Sequence, residues 1–241
     1  MSYVYRLPGG EVTALDWETP FPPLAAALKE PNGLLAIGGD LSPQRLLSAY
    51  ARGIFPWYSP GQPVLWWSPD PRMVLFPNEL KVTRSLEKRL RRQDYEIRYD
   101  TAFRQVMQAC AGTPRRDQDG ALNHDTWIVD EMIEAYCEMH ALGHAHSIET
   151  WMDEKLVGGL YGVAIGRMFY GESMFHHVTD ASKLAFVHLV RYLQKHGFGM
   201  IDCQMKTDHL ARFGAREIPR DTFAEQLSDL IHMSHPYEVW K

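Results

Sequence analysis

Residues 146–175 read HSIETWMDEKLVGGLYGVAIGRMFYGESMF, and the way this stretch breaks into extended runs decides the architecture. Two runs, 146–152 and 155–165, are separated only by the turn Asp153-Glu154, the sequence form of an antiparallel hairpin. After Gly166 a third run, 167–173, pairs back onto the second. An apolar helix is then expected over 181–196, ended by Gly197, followed by a strand over 200–204. Side chains alternate faces along a strand, so Asp202 and Gln204 should point one way while Ile201 and Cys203 point the other. A carboxylate buried without a partner costs several kcal/mol, so Asp202 marks either a satisfied structural network or an active site, and the active site is preferred. Glu172, in the segment 171–175, adds a second acid on a neighbouring strand. Taken singly, each residue is equally well explained by local hydrogen bonding, with Glu172 paired to Arg167 or Lys183. Together, on Gly-lined neighbouring strands, the three resemble the acid, base and orienter of acyl transfer.

Upstream, helices and strands interleave. Strands are expected over 73–76 and 96–99, and helices over 83–92, 101–111 and 129–142, the last burying Met132, Ile133, Tyr136 and Met139 on one side. Residues 113–125 are a polar loop. Beyond 204 the strand pattern stops, leaving a short helix over 207–213 and a final one over 222–232. Residues 1–72 are dense in Pro, Gly and Trp, so turns and short elements should dominate in a small N-terminal domain. Its one clear helix is 43–52, opened by Ser42 and closed by Gly53. Residues 73–241 form the second domain. The expected class is α+β: a small N-terminal α/β domain followed by a GNAT-like acyltransferase domain, with a central mixed, largely antiparallel sheet flanked by helices.

With 241 residues, 45% of them hydrophobic, the chain has ample material for a packed core, and nowhere do eighteen uncharged apolar residues run together. No signal-peptide pattern opens it, so a cytoplasmic location is expected. Cys110, Cys137 and Cys203 lack CxxC spacing, which fits reduced thiols rather than a disulfide framework. The net charge is −5, so a nucleic-acid partner must be held by a local patch. Such a patch exists: residues 81–92 carry six basic side chains against one acid, and Arg84, Lys88, Arg91 and Arg92 fall on one helical stripe. A run of one sign in an acidic chain favours phosphate binding over a merely solvated face.

Other signals are weaker. Gly158, Gly159, Gly162 and Gly166 match neither the P-loop nor the dinucleotide fingerprint, so packing or a close backbone approach is favoured. The segment leading into the helix at 181 lacks a Gly-rich pyrophosphate loop, which argues against acetyl-CoA. Cys137, His140, His144 and His146 have a zinc-like spacing, but His140 and His144 share a helical face only if the helix runs through Gly143, so no metal is expected.

Several blocks then fall into one pattern: PNGLLAIGGDLS (31–42), GIFPWY (53–58), LWWSPDPR (65–72), LGHAHSIE (142–149), LVGGLYGVA (156–164), GESMF (171–175) and IDCQ (201–204). Together they resemble the leucyl/phenylalanyl-tRNA-protein transferase family over about residues 21–223. The resemblance implies transfer of Leu, Phe or Met from aminoacyl-tRNA to the α-amino group of proteins beginning with Arg or Lys, which marks them for N-end rule degradation. It places the family's functional positions at Trp57, Trp127, Glu172, Asp202 and Gln204, with tRNA contacts at Arg84, Lys88, Arg91 and Arg92. The loop 115–125 is longer than the family pattern.

The chemistry agrees with this expectation. An aminoacyl ester is already activated, so positioning an amine and steadying the oxyanion suffice, with neither cofactor nor metal. Gln204 would accept a hydrogen bond from the amine, Asp202 would orient it, and Glu172 would hold the amine or the acceptor's cationic side chain. Leu, Phe and Met are all unbranched at Cβ, so a narrow apolar slot lined by Leu160, Phe169, Met174, Leu189 and Ile201 would exclude Val and Ile. Trp57 and Trp127 would stack on the terminal adenosine or flank the aminoacyl group. The expected partners are aminoacyl-tRNA and the acceptor protein, for a monomeric enzyme with no membrane association. A coenzyme A-dependent N-acetyltransferase and a non-catalytic RNA-binding module are the rival classes.

Overall fold

A computed structural model describes residues 3–92, 94–116, 122–123, 126–234 and 240. In chain order the elements begin with strands β1 (Val4–Leu7), β2 (Gly10–Leu15) and β3 (Leu34–Gly38), helix α1 (Pro43–Tyr50), β4 (Phe55–Pro56), β5 (Leu65–Trp67), β6 (Arg72–Leu75) and α2 (Arg84–Leu90). Next come β7 (Glu96–Tyr99), α3 (Phe103–Ala111), β8 (Arg115–Arg116), β9 (Leu122–Asn123), α4 (Asp130–Ala141), β10 (Ala145–Met152), β11 (Lys155–Ile165) and β12 (Met168–His176). The chain closes with α5 (Ala181–Lys195), β13 (Met200–Gln204), α6 (Asp208–Ala211), β14 (Arg216–Ile218) and α7 (Arg220–Ile231).

The strands form a five-stranded sheet ordered β1-β2-β3-β5-β4 and a seven-stranded sheet ordered β14-β6-β13-β12-β11-β10-β7. The larger sheet is antiparallel throughout except for the parallel pair β12–β13, which is the mixed, helix-flanked α+β architecture anticipated from the sequence. The hairpin β10–β11 turns on Asp153 and Glu154, both at positive φ, the mirror-image turn whose twist matches the strands it joins. Helix α5 supplies the crossover that a parallel pair requires. It buries Leu184, Ala185, Val187, Leu189, Val190 and Leu193. Gly158 lets its first turn lie against β11: a Cβ there would stand 2.5 Å from the Ala181 Cβ. Helix α1 starts as expected, with the Ser42 hydroxyl accepting from the Arg45 N–H.

In the chain, β5 ends in the smaller sheet at Trp67 and β6 enters the larger one at Arg72. One apolar cluster nonetheless runs through both, joining Leu35 and Trp66 of the smaller sheet to Val106, Tyr136, Tyr161 and Phe175 of the larger part. The Trp66 indole is fully buried and donates to the Gly38 carbonyl at 2.8 Å.

Three expectations are corrected. The strand pattern does not stop at residue 204, because β14 pairs with β6 at the sheet edge; three residues are too short for an alternation to show in the sequence. Helix α2 ends at Leu90 rather than 92, with Arg91 as its C-cap, so the basic stripe continues past the helix. Within the polar loop 113–125, residues 115–116 pair with 122–123 as a two-residue hairpin. The rest of that long loop lies largely outside the described residues.

Candidate active site

Strands β12 and β13 are registered over three pairs, Met168↔Met200, Phe169↔Ile201 and Tyr170↔Asp202. Past the last of these, β12 carries on without β13, and a cavity of about 360 Å³ opens between them. All seven residues expected around the substrate line it: Trp57, Trp127, Leu160, Phe169, Met174, Leu189 and Ile201. Glu172 and Gln204 line it as well, together with Phe186 and His209, which the sequence reading did not single out. The apolar part is built by the sheet and α5. The two tryptophans come from elsewhere, Trp57 from just after β4 and Trp127 from just before α4. Trp57 is 39% exposed; its ring packs edge-on against Trp67, whose indole donates to the Trp57 carbonyl at 2.6 Å.

Asp202 does not reach the cavity. Its carboxylate is fully buried and takes both arms of the equally buried Arg72, Nε at 2.8 Å and Nη2 at 2.6 Å. The remaining Arg72 arm donates to the Gly53 carbonyl at 3.0 Å. The guanidinium also lies over the rings of Phe55 and Phe223, 4.9 and 4.6 Å from their centroids. Asp202 Oδ1 accepts a further bond, from the Gln204 backbone N–H at 2.9 Å. The register against β6 shifts between Asp202 and Gln204, and Gln204 adopts φ +58°. Simple alternation therefore misplaced this pair: the acid sits beneath the backbone of the glutamine rather than beside its amide. A left-handed conformation is uncommon for a non-glycine residue, and the carboxylate bond to its N–H supports it here. The Gln204 side chain lines the cavity, and its Nε2 is enclosed with no hydrogen-bond partner among the described residues.

Glu172 pairs with neither Arg167 nor Lys183. Arg167 donates to the His196 carbonyl and Lys183 to Asp180. Instead the Tyr50 hydroxyl donates to Glu172 Oε1 at 2.8 Å, and the Tyr50 and Tyr136 hydroxyls are themselves hydrogen-bonded. Tyr170 closes the cluster by donating to the Tyr50 carbonyl at 2.7 Å. Glu172 is half-buried and lines the cavity. Burial pushes that carboxyl up to about 8, assisted by Asp202 and opposed by the Tyr50 bond and by Arg72. Burial likewise raises the Tyr50 and Tyr136 hydroxyls well above the ordinary tyrosine range, so both remain neutral donors. No sequence spacing connects Tyr50, Tyr136 and Glu172, which come from three separate elements. The signal that was available for Arg72 is physical: a strand acid with no local cation demands a distant one.

His209, on α6, also lines the cavity. Burial lowers its pKa, and Lys183, Arg212 and His176 add to the effect, so the imidazole is neutral near pH 7. Two of the three histidines with zinc-like spacing are engaged otherwise: His140 Nδ1 bonds the Ala145 carbonyl, and His146 Nδ1 bonds Asp100 Oδ2, each at 2.7 Å.

Arg84, Lys88, Arg91 and Arg92 are all exposed, and none of them lines the cavity. Lys88 and Arg92, with Ser85 and Arg89, line a cleft of about 340 Å³ against Thr179 and Asp180 at the start of α5. Arg89 differs from the other four in being tied down, by an ion pair to Asp94 at 2.6 Å and by the Tyr95 ring.

Comparison with known proteins gives two family matches. The family model described as leucyl/phenylalanyl-tRNA protein transferase matches residues 74–228, and its N-terminal domain model matches residues 39–70. Among curated relatives, the leucyl/phenylalanyl-tRNA–protein transferase of Nitrosomonas europaea is 64% identical over 92% of this chain and 92% of its own length. That of Nitrosospira multiformis is 63% identical over 91% and 92%. A solved GCN5-related N-acetyltransferase from Kribbella flavida aligns with 71% of this chain and 59% of its own, at 10% identity and a TM-score of 0.35.

Arg72→Met leaves the Asp202 carboxylate buried without a cation and should cost about 3–5 kcal/mol in denaturant unfolding, far more than loss of an exposed pair. Glu172 holds its proton in the folded protein up to about pH 8, whereas the unfolded chain releases it near the ordinary glutamate value of 4.5. Stability should therefore fall as pH rises through that window and level off above it. Glu172→Gln should flatten this part of the stability profile; an unchanged profile would show that the carboxyl titrates normally.

Proposed function

The chain belongs to the leucyl/phenylalanyl-tRNA protein transferase family, and we propose that it moves Leu, Phe or Met from aminoacyl-tRNA to the α-amino group of proteins beginning with Arg or Lys. The product would be marked for N-end rule degradation. The observation that carries this reading is a single cavity lined by an apolar floor, two tryptophans, and the side chains of Glu172 and Gln204. An acyl side chain fits the floor formed by Leu160, Phe169, Met174, Leu189 and Ile201. Its ester carbonyl then lies toward the polar end, and the terminal adenosine of the tRNA stacks on Trp57 or Trp127, a contact worth about 1–3 kcal/mol per base.

The reaction is attack of a neutral amine on an activated ester. The amine nitrogen bonds to the acyl carbon, the tetrahedral adduct collapses, and the 3′ oxygen of the tRNA leaves with a proton. The incoming α-ammonium group has an ordinary pKa of about 7.7–8.0, which matches the Glu172 carboxyl. Glu172 is thus suited to hold that group and share its proton, with the Tyr50 hydroxyl steadying the carboxylate. The Gln204 amide oxygen accepts a hydrogen bond from the attacking nitrogen and aims its lone pair. Asp202 acts one step removed: it fixes the Gln204 backbone and touches no substrate. The exposed cations Arg84, Lys88, Arg91 and Arg92 hold the tRNA backbone. A monomer in the cytoplasm, where charged tRNA is made, fits this role, and it needs no cofactor because the ester supplies the driving force.

The direct test offers leucine-charged tRNA, labelled in the amino acid, with a peptide beginning in Arg and a control beginning in Ala. Label should pass to the first alone, and equal labelling would remove the acceptor rule. Gln204→Ala should lower kcat about 100-fold with little change in KM for the tRNA, the mark of lost orientation. Removing charge at Arg84, Lys88, Arg91 and Arg92 should weaken tRNA binding and reduce the salt slope by roughly 0.7 to 0.9 per lost phosphate contact; an unaltered slope would take these residues out of the interface.

A further inference from the structure

Phe169 forms part of the cavity floor although the residue is otherwise fully buried. Its ring lies flush against β11: a Cβ on Gly162 would come within 2.6 Å of two of its carbons. A second neighbour is Trp240, 5% exposed, whose ring packs on that of Phe169 at a centroid distance of 6.0 Å with the planes 29° apart. Trp240 is itself firmly seated. It stacks on His146 at 4.0 Å with the planes 10° apart and packs against Tyr192 at 5.0 Å and Phe198 at 6.4 Å. His146 is anchored in turn by Asp100, whose other carboxylate oxygen accepts from the Ser147 N–H at 2.7 Å. A continuous line of packed rings thus runs from β10 through Trp240 to the floor of the cavity. The transferase family model ends at residue 228, so Trp240 lies beyond the matched region while the rings it packs on lie within it.

We infer that Trp240 is a positioning residue for donor choice: it fixes Phe169 and thereby sets how deep the acyl side-chain pocket is. The inference rests on the cavity being that pocket, as proposed above. Packed aromatic pairs hold one another beyond the area they bury, and interiors are packed tightly enough that a missing ring is felt by its neighbour. Without Trp240 the Phe169 ring can recede, the pocket deepens, and the bulkier phenylalanyl donor gains over the leucyl donor. A merely structural Trp240 would slow both donors in parallel, because loss of folded enzyme does not alter the ratio of their kcat/KM values.

The test sets phenylalanine-charged against leucine-charged tRNA and reads the ratio of kcat/KM in the wild type, Trp240→Ala, Trp240→Phe, Phe169→Ala and the Trp240→Ala/Phe169→Ala double variant. Trp240→Ala should raise the Phe-to-Leu ratio about threefold, the size expected for coupling between neighbouring residues. Trp240→Phe should restore the ratio, and the double variant should match Phe169→Ala. If Phe169→Ala shifts the ratio and Trp240→Ala does not, or if the Trp240→Ala shift persists in the Phe169→Ala background, the inference is overturned while the pocket stands. If Phe169→Ala leaves the ratio untouched, the pocket assignment itself falls. Should Trp240→Ala fail to fold, Trp240→Leu serves the same comparison.

Discussion

A buried ion pair organises the candidate active site of this protein. Arg72 and Asp202 are fully buried, bidentate, and placed at the join between the two sheets. Removing two charges from water costs several kcal/mol per ion, so such a pair endures only when the remaining hydrogen-bonding capacity is also used. Here it is used: Arg72 reaches the Gly53 carbonyl behind α1, and Asp202 reaches the Gln204 N–H at the edge of the cavity. The pair therefore ties together the loop after α1, strand β6 and the end of β13. Its service to the site is geometric, since the left-handed turn at Gln204 is what presents the amide to the cavity.

The two carboxylates, so close in the fold, are given opposite surroundings. Asp202 has a guanidinium on both oxygens. Glu172 has only neutral hydroxyls within bonding reach, in a setting dry enough to push its carboxyl up to about 8. Environment thus sets two like groups apart on one scaffold, one paired with a cation and the other held among neutral hydroxyls. The tyrosines that surround Glu172 come from α1, α4 and β12. The contact between the two sheets is therefore part of the site and not a mere scaffold for it, and the apolar cluster shared by both parts has the same consequence.

Much of this architecture is legible in the sequence. The hairpin 146–165 reads plainly because Asp153-Glu154 can close only a tight turn, and the pattern of 181–204 gave the crossover helix and strand β13 nearly to the residue. The cavity floor was legible for a different reason: Leu160, Phe169 and Ile201 are apolar residues on strands that must be neighbours if the hairpin and the crossover share one sheet. What failed was local. Strand β14 is too short to show a period, and the early end of α2 is not legible because no glycine or proline stands at its C-cap, Arg91. The Asp202–Gln204 relation failed because a register shift breaks the alternation on which it was based.

The sequence by itself thus determined the class of fold, the family, and the chemical types gathered at the site, since all three follow from periodicity and from residues in fixed local order. Only the tertiary structure decided which partner each charge takes. Arg72 lies 130 positions from Asp202, and Tyr50 lies 122 from Glu172. Nothing in a one-dimensional pattern specifies such pairs, because they are selected by the cost of leaving a buried polar group unmatched, and that cost exists only once the chain has closed around it.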